Sequence, residues 1–350
     1  MRFNRRRTLI SLGAFTVGVL ASCRDLPKSE SDKASVTAKP VSSSTDRLKL
    51  IVGLQDNALQ ETVIASGVLD GLPFDLQWAI IPGPAAQLSA LYSKAIDVGL
   101  LGDTSLIIEQ GRAKTEWTEA NIPLQIVALW KNPDPSFRTY ITAVRTSADI
   151  KTLADLRGKK WASNFGGLNY LTYVLSRSKA GLKATDIEPV MLVDGSAAAA
   201  AFTSGRADVY SGSLGAIKED IDSGKSRVLV YGEDLGILGA TAFAARNDVI
   251  GDADKSKALA EFLTRLRTHW SWFAKNLDVV EKIYVEKRKQ TPKRAKYFAS
   301  VSSAAFVPID DDLVKRQQRI ADILLESGDI TKKIDVSVEL SRKFNSVTTG

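Results

Sequence analysis

The side chains best suited to covalent and metal chemistry are almost missing from this sequence. Its 350 residues hold one cysteine, Cys23, and one histidine, His269. A His/Cys metal site needs several such ligands, and a Ser-His-Asp arrangement would have to use His269. That histidine falls in THWSWFAKN, an amphipathic helical stretch in which a packing role is expected. No G-x-S-x-G elbow, phosphate-binding P-loop or G-x-G-x-x-G fingerprint occurs. Asp310-Asp311-Asp312 reads as a helix N-terminus, where negative charge is favoured, and not as a catalytic pair. These features argue against an enzyme and against a cofactor or metal.

A series of small-residue turns is present instead. They are Gly53-Leu54-Gln55-Asp56, Pro82-Gly83-Pro84, Gly102-Asp103-Thr104, Asn164-Phe165-Gly166-Gly167, Asp194-Gly195-Ser196 and Ser211-Gly212-Ser213. The elements around them read as strand, helix, strand, helix. LKLIVG (48–53), FDLQWAII (74–81) and IDVGLLGD (96–103) have strand character; ETVIASGVL (61–69), PGPAAQLSALYS (82–93) and the TSLIIEQG run are helical. Short connections between such elements predict a mainly parallel sheet covered by helices, continuing to about residue 231. Ligands bind at the carboxyl ends of strands in these sheets. Helix N-termini and a hydroxyl such as that of Thr104 suit an anionic group. Beyond Asp252 the pattern becomes helical, with amphipathic runs at 255–276, 278–289 and 310–326, the last ending in LESGD.

One internal echo stands out. LSALYSKAIDVG (88–99) aligns with AAAFTSGRADVY (199–210), pairing Asp97 with Asp208 and Val98 with Val209, 111 residues apart. Two lobes of similar architecture are expected.

The chain opens with four arginines by position 7 and an apolar run from Leu9 to Leu20, followed by Ala21, Ser22 and Cys23. The run is too short for a membrane anchor, which needs roughly 20 residues, and fits a signal peptide over residues 1–22. Leu20-Ala21-Ser22-Cys23 fits a lipobox, which would make Cys23 a lipidation site and leave no disulfide. Arg6-Arg7 resembles a twin-arginine signal, so either export route remains open. Residues 24–46 contain six serines and no aromatic residue, and read as a flexible tether spanning about 25–30 Å. Removing the leader takes four arginines and no acid from a chain of 47 basic and 40 acidic residues, so net +7 becomes +3. That balance, without basic clusters interleaved with aromatics, gives no support for nucleic-acid binding.

The turns and their surroundings resemble solute-binding proteins of ATP-driven importers in the nitrate/sulfonate/taurine group, and within it the aliphatic-sulfonate-binding proteins. The resemblance rests on GLQD (53–56), LQWAIIPGPAAQLSALYSKAIDVGLLGDT (76–104), the stretch 150–192, GRADVY (205–210), ATAFAAR (240–246) and ADILLESGDITKKIDV (321–336). It covers most of residues 48–345 in order. It implies a type 2 periplasmic-binding fold, two α/β lobes joined by two hinge strands around a ligand cleft. Lobe one would comprise 47–139 and 243–345, and lobe two 140–242. The implied function is capture of a small organic anion, an aliphatic sulfonate, and delivery to an ABC permease and its ATPase. The receptor would be a monomer outside the cytoplasm, held at a membrane by lipid on Cys23.

By position, the resemblance implies ligand contacts at Gln55, Gly102, Asp103, Thr104, Gly166, Gly167 and Asn169. The remaining turn residues Asp56, Pro82, Gly83, Asn164, Ser211 and Ser213 join them as candidates. One departure bears on cargo: many sulfonate binders carry a Trp-Asp-Pro run where this chain has Ser213-Leu214-Gly215. The same fold could instead serve nitrate, bicarbonate or a thiamine-precursor-like heterocycle, or act as a sensor module without transport.

Overall fold

A computed structural model describes residues 47–349; the leader, Cys23 and the tether lie outside the described residues. The chain begins with β1 (Lys49–Leu54), α1 (Ala58–Ala65), β2 (Asp75–Ile80), α2 (Pro84–Tyr92), β3 (Val98–Gly102), α3 (Ser105–Arg112) and β4 (Leu124–Lys131). It then enters β5 (Tyr140–Arg145), β6 (Lys160–Asn164), α4 (Gly167–Lys179), β7 (Glu188–Leu192), α5 (Gly195–Thr203), β8 (Val209–Ser213), α6 (Lys218–Asp222) and β9 (Ser226–Tyr231). It returns through β10 (Thr241–Arg246), α7 (Asn247–Gly251), α8 (Ala253–Lys275), α9 (Leu277–Glu286), α10 (Pro292–Val301), β11 (Ala305–Val307), α11 (Asp311–Glu326) and α12 (Asn345–Thr348).

Two sheets result. The first has the order β11-β4-β10-β3-β1-β2 and the second β7-β6-β8-β5-β9. Within each, the strands of the βαβ units run parallel, as β1 does with β2 and β3, and β6 with β7 and β8. In the first sheet the edge strand β11 pairs antiparallel with β4. Each sheet also holds one inner strand reversed relative to its parallel set: β10 between β3 and β4, and β5 between β8 and β9. These are the strands that follow the two passages between the sheets, so each sheet receives an antiparallel strand where the chain arrives from the other. The two sheets with their helices form two α/β lobes, as the sequence resemblance implied.

The elements follow from the sequence in familiar ways. Leu50, Val52 and Leu54 of β1 share one face and are fully buried, while Ile51 on the opposite face packs against a second apolar cluster, so helices cover the strand on both sides. α1 stops at Ala65, before the extent of the ETVIASGVL pattern, because Gly67 takes φ +68° and the chain turns. Asp310 caps α11 by accepting from the Leu313 N–H at 2.9 Å, and Gly328 at φ +74° follows its end. α8 buries Leu259, Phe262, Leu266 and Phe273 against the first sheet. α11 behaves differently: Ile320 and Leu324 join the apolar cluster containing Trp161 and Leu171 of the second lobe, together with Ile107 and Ile108 of α3.

A buried ionic knot accompanies that packing. Asp329, just after α11, accepts from the Arg177 guanidinium of α4 at 2.5 Å and from the Tyr170 hydroxyl at 2.9 Å. Arg112 of α3 donates to the Asp329 carbonyl at 2.9 Å. α3, α4 and the α11 turn are thereby tied together.

Candidate functional site

The carboxyl ends of the parallel strands from both sheets face one cleft, with a cavity volume of about 560 Å³. From the first lobe come Gln55 and Asp56 after β1, Pro82, Gly83 and Pro84 ahead of α2, and Gly102 at the end of β3. The second lobe contributes Asn164, Gly166, Gly167 and Asn169 around the start of α4, the Asp194-Gly195-Ser196 turn, and Ser213. Gln55 is held by donating to the Leu100 carbonyl at 3.0 Å. Asn169 donates to the Asn164 side-chain oxygen at 2.6 Å. α4 carries no acidic residue in its first turn, and its opening N–H groups have no partner within the helix. The lobes touch at the cleft rim. A Cβ on Gly83, whose φ is +87°, would lie 2.9 Å from the Val193 carbonyl oxygen.

Three expected contacts are elsewhere. Asp103, Thr104 and Ser211 are fully buried and are not part of the cavity wall. Asp103 is buried beside the returning strand, where its carboxylate accepts from the Ala240 N–H at 3.4 Å. Burial drives its pKa up to about 7, with the Ala240 bond opposing the rise. Ser211 is taken up by a hydroxyl chain, 2.6 Å from the Thr142 Oγ1 and accepting from the Trp161 indole at 3.0 Å. His269 is buried between the hydroxyls of Thr62 and Ser66, at 3.4 and 3.2 Å, and desolvation pushes its pKa down to about 3.

The cleft's cations come from a corner that no turn pattern marked. Arg288 and Arg294, with Gln290 between them, line the cavity from the connection of α9 to α10. Arg288 pairs with Asp56 at 3.3 Å and lies over the Tyr284 ring at 5.9 Å. Arg294 donates to the Gln290 side chain at 2.9 Å and lies 5.4 Å over the Phe298 ring. In the sequence, VEKRKQTPKRAK (285–296) looks like a solvated basic run. Its one geometric cue is Thr291-Pro292: Thr291 caps α10, Pro292 occupies the first turn, and together they fix the corner.

The Ser213-Leu214-Gly215 departure also has a structural counterpart. A Cβ on Gly215 would stand 2.9 Å from a ring carbon of Phe298 and 3.1 Å from one of Tyr297. Two aromatic rings of α10 thus close up on the segment that lacks the Trp-Asp-Pro run.

Residues 71–314 match the family of ABC-transporter, phosphonate, periplasmic substrate-binding proteins. The chain belongs to that family. It is the periplasmic solute-binding component of an ABC transporter. A substrate-binding protein of this kind also resembles a protein of Escherichia coli (strain K12) named for aliphatic-sulfonate binding, 28% identical over 273 residues, 75% of this chain and 77% of that one. Two solved structures share the fold. The alkanesulfonate-binding protein of Xanthomonas axonopodis pv. citri bound to MOPS gives a TM-score of 0.70 at 21% identity, covering 84% of this chain and 97% of the other. The periplasmic aliphatic sulphonate binding protein of Escherichia coli gives 0.64 at 23%, covering 84% and 92%.

In this substrate-binding protein the cleft's carboxylates are already engaged. Asp56 is paired with Arg288, and Asp194 caps α5 by accepting from the Ala197 N–H at 2.8 Å. The guanidinium groups are ion-paired too, Arg288 with Asp56 at 3.3 Å and Arg294 with Glu219 at 3.6 Å. Each has further N–H donors, and with the side-chain amides and helix N-termini these can meet a ligand. Among the described residues no helix is long and apolar enough to cross a membrane, and no group of three or more His, Cys, Asp or Glu could hold a metal.

Proposed function

We infer that the protein captures a small organic anion, an aliphatic sulfonate, between its lobes and delivers it to an ABC permease and its ATPase. The observation that carries this reading is the placement of Arg288 and Arg294 on the cleft wall opposite donor-rich turns. A sulfonate carries one negative charge and three acceptor oxygens and donates nothing, so it suits a wall of donors whose carboxylates are occupied. The sulfonate-named relatives support the same cargo. Candidate contacts are Gln55, Asp56, Pro82, Gly83, Gly102, Asn164, Gly166, Gly167, Asn169 and Ser213, with Arg288, Gln290 and Arg294 added. Residues 47–139 with 243–345, and 140–242, act as the two closing bodies, with the ionic knot at Asp329 limiting their travel.

Lipid on Cys23 keeps the receptor beside its permease. Replacing Cys23 with Ala is expected to release the protein from the membrane fraction; a Cys23→Ala protein that stays membrane-bound contradicts the anchor.

The cargo is tested by thermal unfolding with alkanesulfonates, taurine, alkylphosphonates, nitrate, bicarbonate, sulfate and pyrimidines. A ligand at one hundred times its dissociation constant stabilises the folded state by about 2.7 kcal/mol, a readable shift. A shift with sulfonates supports the reading. A shift confined to phosphonates would move the cargo to the chemistry for which the family is described.

A further inference from the structure

Behind the cleft lies a second cavity of about 280 Å³, and the two share Gln55, Tyr284, Phe298 and Ser302 as walls. Its character differs from that of the cleft. Trp130, Trp270, Phe273, Tyr284 and Phe298 dominate it, and Asp56 at the common boundary is its one charged residue. Both arginines line only the cleft, and Trp130, Trp270 and Phe273 only the chamber, while Tyr284 and Phe298 face both. Hydroxyl and amide side chains such as Thr62, Thr139 and Asn132 complete the chamber wall. Trp130 and Trp270 lie 6.2 Å apart, and Trp270 and Phe273 5.6 Å.

One atom in this chamber is unexplained. Trp270 is 7% exposed and lines the chamber, yet its indole N–H has no acceptor in the protein. A buried indole N–H ordinarily finds a partner. That N–H is itself shielded from the chamber's accessible surface, so an entering group would meet the indole ring and not its donor. The volume is sufficient: a dry apolar cavity of about 150 Å³ accepts benzene.

Resting on the reading of the cleft as an organic-anion site, we propose that the cargo is a ring-bearing acid: its acidic head lies in the arginine-lined cleft and its ring enters the aromatic chamber. The chamber excludes a charged tail, because it offers no cation to a second acid and its single carboxylate is already paired with Arg288. The Gly215 contact fits this account, since it lets Phe298 form the wall common to both cavities.

The test is a calorimetric titration of the protein with matched pairs. Ethanesulfonate is compared with benzenesulfonate and 4-methoxybenzenesulfonate, and equivalent two-carbon and ring compounds are run with phosphonate and carboxylate heads. Each ring compound of the preferred head is expected to bind at least tenfold more tightly than its two-carbon counterpart. Ala304→Leu, which fills the chamber from its wall, should remove that preference and leave ethanesulfonate within twofold. Trp270→Phe keeps a ring in the wall and should leave the preference for ring compounds standing. If ring phosphonates or carboxylates show the preference and sulfonates do not bind, the sulfonate reading falls and the chamber stands. If no ring compound of any head binds more tightly than its two-carbon partner, or the preference survives Ala304→Leu, the chamber proposal is overturned.

Discussion

In the first lobe β1, α2 and β3 begin at Lys49, Pro84 and Val98; in the second β6, α5 and β8 begin at Lys160, Gly195 and Val209, each 111 residues later. The strand orders match as well, with β2-β1-β3-β10-β4 answering β7-β6-β8-β5-β9. Even the rim contact obeys the offset. Gly83 touches Val193 and the Asp194 side chain, and Asp194 is its own counterpart. The lobes part company in what they add. The first inserts α8, α9 and α10 after its antiparallel strand and so supplies both arginines and most of the chamber's rings. The second adds none of these and offers glycine turns and helix N-termini. A shared scaffold positions the backbone donors, while one insertion supplies charge and aromatic surface.

The largest predicted effect concerns where the lobes are tied. Asp329 and Arg177 are almost entirely buried, with side chains 7% and 3% exposed. Asp329→Ala strands a buried guanidinium and should cost about 3–5 kcal/mol in denaturant unfolding. A loss under 1 kcal/mol would show that α11 is not a structural tie.

The next prediction uses a mismatch between the lobes. Asp103 occupies the position equivalent to Leu214, so one lobe buries a carboxyl where the other has an apolar residue. Its pKa rises from 3.8 to about 7 in the folded chain, because burial favours the neutral form. The stability this group contributes is therefore complete below about pH 4 and lost as pH rises through 7. Asp103→Asn should match wild type near pH 4 and exceed it above pH 7 by up to about 4 kcal/mol. A difference that does not vary with pH contradicts that assignment.

A smaller effect is expected at the rim. Gly83→Ala places a Cβ against the Val193 carbonyl in a backbone conformation that favours glycine. Closure should weaken, lowering ligand affinity about tenfold, or roughly 1.4 kcal/mol. Unchanged affinity would mean that this contact is not made in the ligand-bound form.

The echo between the lobes was legible in the sequence because α2-β3 and α5-β8 repeat their small and acidic residues at fixed spacing. The turns were legible because Gly, Pro and Asn mark strand ends regardless of tertiary context. Asp103, Thr104 and Ser211 sit in those turns, but their side-chain direction depends on partners such as Ala240 and Thr142 that are distant in the chain. The arginines were missed for a related reason. Nothing local separates Arg288 from Lys287 or Lys289, and only the packing of α9 and α10 aims it at Asp56.

The central claim is that Arg288 and Arg294 hold the acid head of the cargo. Its most direct test is calorimetric titration of ethanesulfonate into wild type and the Arg288→Gln/Arg294→Gln variant. Hydrogen bonds to charged groups contribute about 1.5–3 kcal/mol each, so the double replacement should weaken binding by about a hundredfold or more. Equal affinity in the two proteins would contradict the account and return the site to the helix N-termini alone.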